Sequence, residues 1–313
     1  HFETLEEALK ANLIALKFNP GAVELMDHTI LELTKGNIEQ QKNRFFVQCD
    51  PGAILIVEFA RDTVEEIDAI AKEMEAEMRK YGFGYYFPVI YNKDTKKVWN
   101  LRKAGLGVLS NVPGDAKPVS VIEDTSVAVE KLPEYIADFK QVLNKYKLEC
   151  VYHAHIGTGE LHLRPILNLK DKKDVELFRT IALETAQLVK KYKGSLSGEH
   201  GDGRLRGEFI PLMIGEKNYE LLKQIKDTWD PDHIFNPGKI VNTPPMNSSL
   251  RYEPGKATKA IETVFDFSEA GGILQAAEKC NGSGDCRKTE VVGGTMCPSY
   301  MATRDEAHVT RSR

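Results

Sequence analysis

No apolar run in the 313 residues approaches the roughly 20 that a membrane-spanning helix needs. There is no basic run either, and 42 basic against 46 acidic residues leave a net charge of -4, which argues against a nucleic-acid-binding surface. No G-x-G-x-x-G run follows a strand pattern, so the common dinucleotide fingerprint is missing. Cysteine is scarce: Cys49 and Cys150 stand alone, and Cys280, Cys286 and Cys297 form one cluster. Thiols spaced in that way suit a reducing compartment and a metal or redox role better than a disulfide framework. Without a leader or an initiator Met, the chain opens on His1-Phe2 just before a helical pattern and stops at Thr310-Arg311-Ser312-Arg313. It reads as a fragment of a longer protein.

What the chain does have is a hydrophobic content of 42%, enough for a real core, and strand and helix patterns that alternate. Helical spacing is expected over 3–17, from Asp27 as N-cap to about 33, from Asp62 or Thr63 to 80, and over 95–109, 133–146, 175–192, 219–228 and 268–278. Strands are expected over 22–26, 53–60, 85–91, 119–123, 149–155 and 161–169. The fold class is α+β, an antiparallel sheet covered by helices. Residues 1–242 form the main domain, 243–267 a linker rich in Pro, Ser, Asn and Gly, and 268–313 a small helical tail with the cysteines.

Two short stretches concentrate the chemistry. YHAHIGTGELHLRP holds His153, His155 and His162, and SGEHGDGRLRGEF holds Glu199 and His200. His155 and His162 flank a Gly157-Thr158-Gly159 turn, so a hairpin there turns both imidazoles to one face. With Glu199 they give two nitrogens and one oxygen, a normal shell for zinc or manganese with an open position. His153 shares that face and reads as a bystander. His200 adjoins Glu199, and an imidazole that titrates near neutrality suits a general base. Arg102, Lys117 and Arg164 are candidates for binding a carboxylate, although each alone reads more readily as an ordinary surface charge. The cysteines follow the bacterial ferredoxin run with Ser283 in the second slot, which leaves three thiolates for a cluster that takes four.

These motifs resemble the C-terminal, substrate-side domain of FAD-linked oxidases of the vanillyl-alcohol-oxidase type, in particular the D-lactate, glycolate and D-2-hydroxyglutarate enzymes. The likeness rests on HIGTGELH, SGEHGDG, IEDTSV and DPDHIFNPGKI in that family's order and covers residues 1 to about 242. CRKTE, MCPSYMATRDE and HVTRSR resemble the start of an iron-sulfur region fused to some of these enzymes. The resemblance implies a ferredoxin-like sheet domain and oxidation of a small D-2-hydroxy acid with hydride transfer to FAD, held mainly by a preceding domain. It implies His155, His162 and Glu199 as ligands of Zn or Mn, His200 as the base, Arg102 and Lys117 as the carboxylate pair, and Asn236 near the flavin edge. In the longer protein it also implies a 4Fe-4S cluster, an electron-transfer acceptor, and a cytoplasmic or membrane-peripheral place, and it allows a homodimer. Two departures bear on the substrate: Gly157-Thr158-Gly159-Glu160 replaces a Gly-Asp-Gly-Asn loop, and Arg164 replaces a polar amide. A self-contained metal hydrolase and a non-catalytic assembly module are the competing readings.

Overall fold

A computed structural model describes residues 1–280, 282–289, 291 and 297–309. It divides into two compact units, His1–Lys259 and Ala260–Arg313. In the first unit the elements run α1 (Leu5–Ala15), β1 (Ala22–Asp27), α2 (His28–Lys35), a single turn α3 (Ile38–Gln41), β2 (Ala53–Glu58), α4 (Val64–Lys80) and α5 (Thr95–Val108). They continue through β3 (Lys117–Pro118), β4 (Ile122–Ser126), α6 (Leu132–Lys145), β5 (Cys150–His155), β6 (Glu160–Leu167), α7 (Lys172–Lys191), α8 (Ile210–Ile214) and α9 (Glu216–Trp229). The second unit carries α10 (Ile273–Glu278) and α11 (Pro298–Thr303).

The strands form an antiparallel sheet in the order β2-β1-β5-β6, with β4 and β3 both pairing along the far side of β6. The expected α+β architecture is the one that forms. β5 and β6 are in register from Cys150 opposite Pro165 to His155 opposite Glu160. Side chains alternate between the faces of a strand, so His153, His155, Glu160, His162 and Arg164 share one face. Ala154, Leu161 and Leu163 point the other way and pack with Leu9 of α1, Phe139 of α6 and Ile181 of α7. On the histidine side, Val151, Met26 and Ile54 are covered by Ile30 of α2 and Leu101 of α5. The apolar cover is therefore built from different residues on the two faces, and the turn end of the β5–β6 hairpin is left to polar groups.

Two caps show how local sequence sets these elements. Thr63 and Glu66 form a reciprocal capping box at the start of α4. Asp27 ends β1, and its Oδ1 accepts from Ile30 N at 3.1 Å to begin α2, while Oδ2 accepts from Tyr152 N at 2.8 Å. One buried carboxylate thus joins β1, α2 and β5. Burial pushes its carboxyl up to about 6 despite these hydrogen bonds.

Three expected secondary-structure elements are corrected. Residues 85–91 form no strand. Pro88 has no amide to donate to a ladder, and Tyr85 N and Tyr86 O bond instead to the backbone of His1. The strand expected over 119–123 is two short ones, β3 and β4, divided where Val121 N turns back to donate to Val119 O at 2.9 Å; within β4, Asp124 takes a left-handed φ of 82° at a register shift. The helix expected over 268–278 is a 3-10 turn, Ser268–Ala270, followed by α10, because Gly271 and Gly272 both adopt positive φ between them. Residues 243–259, expected as linker, belong to the first compact unit: Met246 is buried and its N–H donates to Glu208 Oε1 at 2.9 Å. The HVTRSR end at 310–313, Glu290 of CRKTE and Met296 of MCPSY lie outside the described residues. On the surface, Leu221, Ile225 and Trp229 make an exposed row four residues apart on α9, and Trp229 is 82% exposed.

The hairpin that carries the imidazoles depends on Gly159. It has φ 80°, and a Cβ there would lie 2.0 Å from Val127 O. Gly159→Ala is therefore expected to destabilise the chain by about 3 kcal/mol in urea unfolding. Thr158→Ala, one residue away and exposed, is expected to cost less than about 1 kcal/mol.

Candidate active site

One cavity, of about 590 Å³, lies at the outer edge of β2, between Ile54, Val57, Ile67, Met74, Tyr86 and Ile90. No histidine other than His1 lines it, and its walls are mainly apolar. The chemistry is elsewhere, where β5, β6 and the 197–206 loop meet. There, His155, Glu160, His162 and Glu199 each offer a ligand atom, and these atoms all lie within 4.8 Å of one another. Glu199 Oε1 is 3.7 Å from His155 Nε2 and 3.2 Å from His200 Nε2. The His162 ring is the centre of the imidazole group. Ring centroids lie 4.8 Å away for His153, 5.3 Å for His155 and 5.6 Å for His200, which stacks over it.

Burial decides the protonation of these groups. His162 is pushed down to about 4 mainly by desolvation, and burial also holds His153 well below the usual imidazole range. Both are therefore neutral near pH 7, the form that binds a cation. His155 is raised by its hydrogen bond to Glu24. Glu160 is pushed up to about 7 by burial, by its hydrogen bond with Asp124 and by the charge of Glu199.

The charges around the imidazoles pair unevenly. Glu24 pairs with Arg102, Glu123 with Arg164 and Asp124 with Arg206. Among the described residues, Glu160 and Glu199 pair with histidines and with no lysine or arginine. Moreover Glu160 Oε1, His162 Nδ1 and His153 Nδ1 are buried without a hydrogen-bond partner. Such atoms are costly unless a ligand satisfies them. Two carboxylates with no lysine or arginine partner, beside two imidazoles, are a donor set that fits a divalent zinc or manganese ion.

The other expected residues are placed as follows. Arg102 Nε donates to Glu24 Oε2 at 3.1 Å; its Nη2 lies 2.9 Å from the same oxygen but off hydrogen-bond geometry, and it remains buried without a directed partner. Arg164 is buried, bonded to Glu123 and to Ser120 Oγ at 2.7 Å. Lys117 stands opposite Leu167 in the register, and its ammonium donates to the Val112 and Ser110 carbonyls. Asn236 is exposed in a turn with φ 47°, where it accepts from Lys239 Nζ at 3.1 Å. That turn meets the glycine loop through Ile240 N, which donates to Gly203 O at 3.0 Å. In the second unit Cys280 is exposed and Cys297 is buried, its thiol 3.7 Å from His308 O. Among the described residues, Cys280, Cys286 and Cys297 do not gather as a ligand set. By themselves these three thiols do not fit a four-iron cluster, which takes four.

The profile of FAD linked oxidases, C-terminal domain, matches residues 1–240. The chain belongs to this family. A D-2-hydroxyglutarate dehydrogenase of Pseudomonas putida is 32% identical over 323 residues, covering all of this chain and 31% of that protein. A D-lactate dehydrogenase of Archaeoglobus fulgidus is 28% identical over 77% of this chain and 50% of its own length. The chain spans about a third of the length of the D-2-hydroxyglutarate dehydrogenases that it matches end to end. Among solved structures, 4-ethylphenol oxidase from Gulosibacter chungangensis, as its isoeugenol complex, superposes with a TM-score of 0.53 at 16% identity, over 77% of this chain and 52% of that one. That likeness concerns the fold alone.

In this FAD-linked oxidase domain, sequence reasoning missed four acids: Glu24, Glu123, Asp124 and Glu160. Period-two alternation could have found Glu160, which must share the face of His162. Asp124 has the largest structural role. It accepts from Glu199 N at 2.9 Å, from His200 N at 3.0 Å and from Ser197 Oγ, and its own carbonyl takes Gly198 N at 2.8 Å. One fully buried residue therefore fixes the whole Ser197–His200 backbone. Burial opposes its charge, but these donors outweigh burial and bring its carboxyl down to about 2.

A carboxyl depressed in the folded state stabilises the fold above its unfolded value, near 4, and loses that contribution as pH falls towards 2. Acid titration of urea stability should therefore show roughly 2 kcal/mol lost between pH 4 and pH 2. Asp124→Asn should remove that slope and, by leaving Arg206 without its buried anion, lower stability at pH 7 by about 3 kcal/mol. An unchanged slope in the variant would assign the acid sensitivity to other carboxylates.

Proposed function

We propose that the chain is the substrate-side domain of a flavin-dependent dehydrogenase that oxidises a small D-2-hydroxy acid to the 2-oxo acid. The observation that carries this reading is the convergence of His155, Glu160, His162 and Glu199, in which neither carboxylate has a lysine or arginine partner among the described residues. In this reading these four side chains hold a zinc or manganese ion. The ion supplies Lewis acidity that lowers the pKa of the substrate hydroxyl. FAD, carried by another part of the longer protein, would supply the acceptor for the hydride from C2.

The chain's own residues do the rest. Arg102 receives the substrate carboxylate through the buried Nη2, which has no directed partner, and fixes the 2-carbon over the donor cluster. His200 removes the hydroxyl proton on Nε2, the nitrogen turned towards Glu199. The stacked His162 ring holds the His200 imidazole in place. Arg164 is committed to Glu123, so it shapes the pocket without binding a second carboxylate. Lys117 fastens the α5–β3 connection through the Ser110 and Val112 carbonyls, which leaves Arg102 as the anion receptor. Asn236 serves the flavin side from the turn tied to Gly203. The longer protein completes the iron-sulfur cluster and passes electrons to an acceptor from a cytoplasmic or membrane-peripheral position. D-2-hydroxyglutarate is the first substrate to try, because the relatives matched over the full chain carry that name.

Two measurements test this. Elemental analysis of the purified chain should find about one zinc or manganese ion, lost in a His155→Ala/His162→Ala double variant; no metal in either protein after soaking would sink the cation site. In the flavin-loaded longer enzyme, His200→Ala should lower kcat by roughly a hundredfold to ten-thousandfold with metal content unchanged. A loss of metal together with activity would make His200 a ligand rather than the base.

A further inference from the structure

Glu24 touches both halves of the site. It stands on β1, next to β5, and is almost fully buried. Its Oε1 accepts from His155 Nδ1 at 2.8 Å, and its Oε2 accepts from Arg102 Nε at 3.1 Å. We infer that Glu24 is the positioning residue that couples the cation side of the site to its carboxylate-binding side. This rests on the reading of the donor cluster given above.

The argument is one of valence and geometry. An imidazole has one N–H when neutral, and the partner of one nitrogen decides which lone pair the other offers. With Nδ1–H donated to Glu24, His155 must present the lone pair of Nε2, and that nitrogen is the one facing Glu199. The other carboxylate oxygen sets the guanidinium plane of Arg102. Both contacts span long separations, 131 and 78 residues, so no local turn reproduces either. A ligand at one half that shifts this shared carboxylate changes the affinity of the other half, and by linkage the factor is the same in both directions.

Glutamine is the discriminating replacement because it keeps the shape and has one acceptor oxygen where Glu24 has two. If that oxygen stays on Arg102, the amide N–H₂ faces His155 Nδ1 and drives the ring to the Nε2–H tautomer, which blocks the ligand lone pair. If it stays on His155, an N–H₂ group faces the guanidinium. In either case one half of the site is misplaced. Aspartate keeps both oxygens on a shorter stem and should restore part of the effect.

The test uses the 313-residue chain with Mn²⁺ as the probe, which binds cysteine thiols less readily than softer ions do. Calorimetry should show Glu24→Gln weakening Mn²⁺ binding by 10- to 100-fold relative to the wild type, with Glu24→Asp intermediate. On metal-free protein, at a pH where His155 is neutral, ¹⁵N spectra should show the Nδ1–H tautomer in the wild type and its loss or mixing in Glu24→Gln. Equal Mn²⁺ affinity in wild type and Glu24→Gln, with binding abolished by His155→Ala, would overturn the role of Glu24 and leave the cation site standing. Absence of binding in the wild type would overturn the cation site and this coupling together. An Nε2–H tautomer in the metal-free wild type would overturn the positioning role whatever the metal does.

Discussion

The site depends on one buried charge. Asp124 sits at a left-handed position in β4, a conformation that costs free energy for any residue with a Cβ. The carboxylate recovers that cost by collecting two backbone amides, a hydroxyl and an arginine. The glycine-rich loop has little apolar material with which to hold itself. It is ordered because its amides have an anion to point at. Glu199 and His200 are adjacent in sequence, and their side chains stand over the β5–β6 hairpin because their N–H groups both end on the same carboxylate. Replacing this arrangement with apolar packing would leave those amides without the anion that orders the loop.

Around that anchor, the domain separates its two jobs by sheet face. One face is mainly apolar and packs against α1, α6 and α7, which gives the sheet rigidity. The other face changes character along its length, from Met26, Ile54 and Val151 under α2 and α5 to the imidazoles at the hairpin end. Histidines on a strand that is apolar on its reverse side cannot shift register without exposing Ala154, Leu161 and Leu163. The hydrophobic core therefore fixes the positions of the imidazoles to within a side-chain rotation, and the loop brings the remaining donors to them.

Much of this was legible in the sequence, for identifiable reasons. The hairpin announced itself by alternation around a glycine turn, and Glu199-His200 by the glycines on either side. The α+β class followed from strands interleaved with amphipathic helices. What stayed hidden were acids whose partners are distant in the chain. Glu24 is a single charge in AVELMD, and nothing local shows that its partner is His155 rather than solvent. Asp124 sits among polar neighbours in IEDTS and looks like an ordinary exposed aspartate. Arg164 and Lys117 read as free cations, because carbonyl and carboxylate partners leave no mark on spacing. The segment at 85–91 has the aromatic and β-branched composition of a strand, but composition does not supply a neighbouring edge, and Pro88 removes a donor.

The exposed row on α9 has an optical consequence. The chain has two tryptophans, Trp99 and Trp229; Trp99 is half-buried and Trp229 stands 82% in solvent. Indole emission shifts to longer wavelength when the ring is hydrated, so a large share of this chain's fluorescence already resembles that of an unfolded protein. Intrinsic emission will therefore respond weakly to loss of the core and strongly to anything that covers α9. The same ring makes the native chain a reporter of its own surface, readable without a label, for whatever polypeptide comes to lie on that helix.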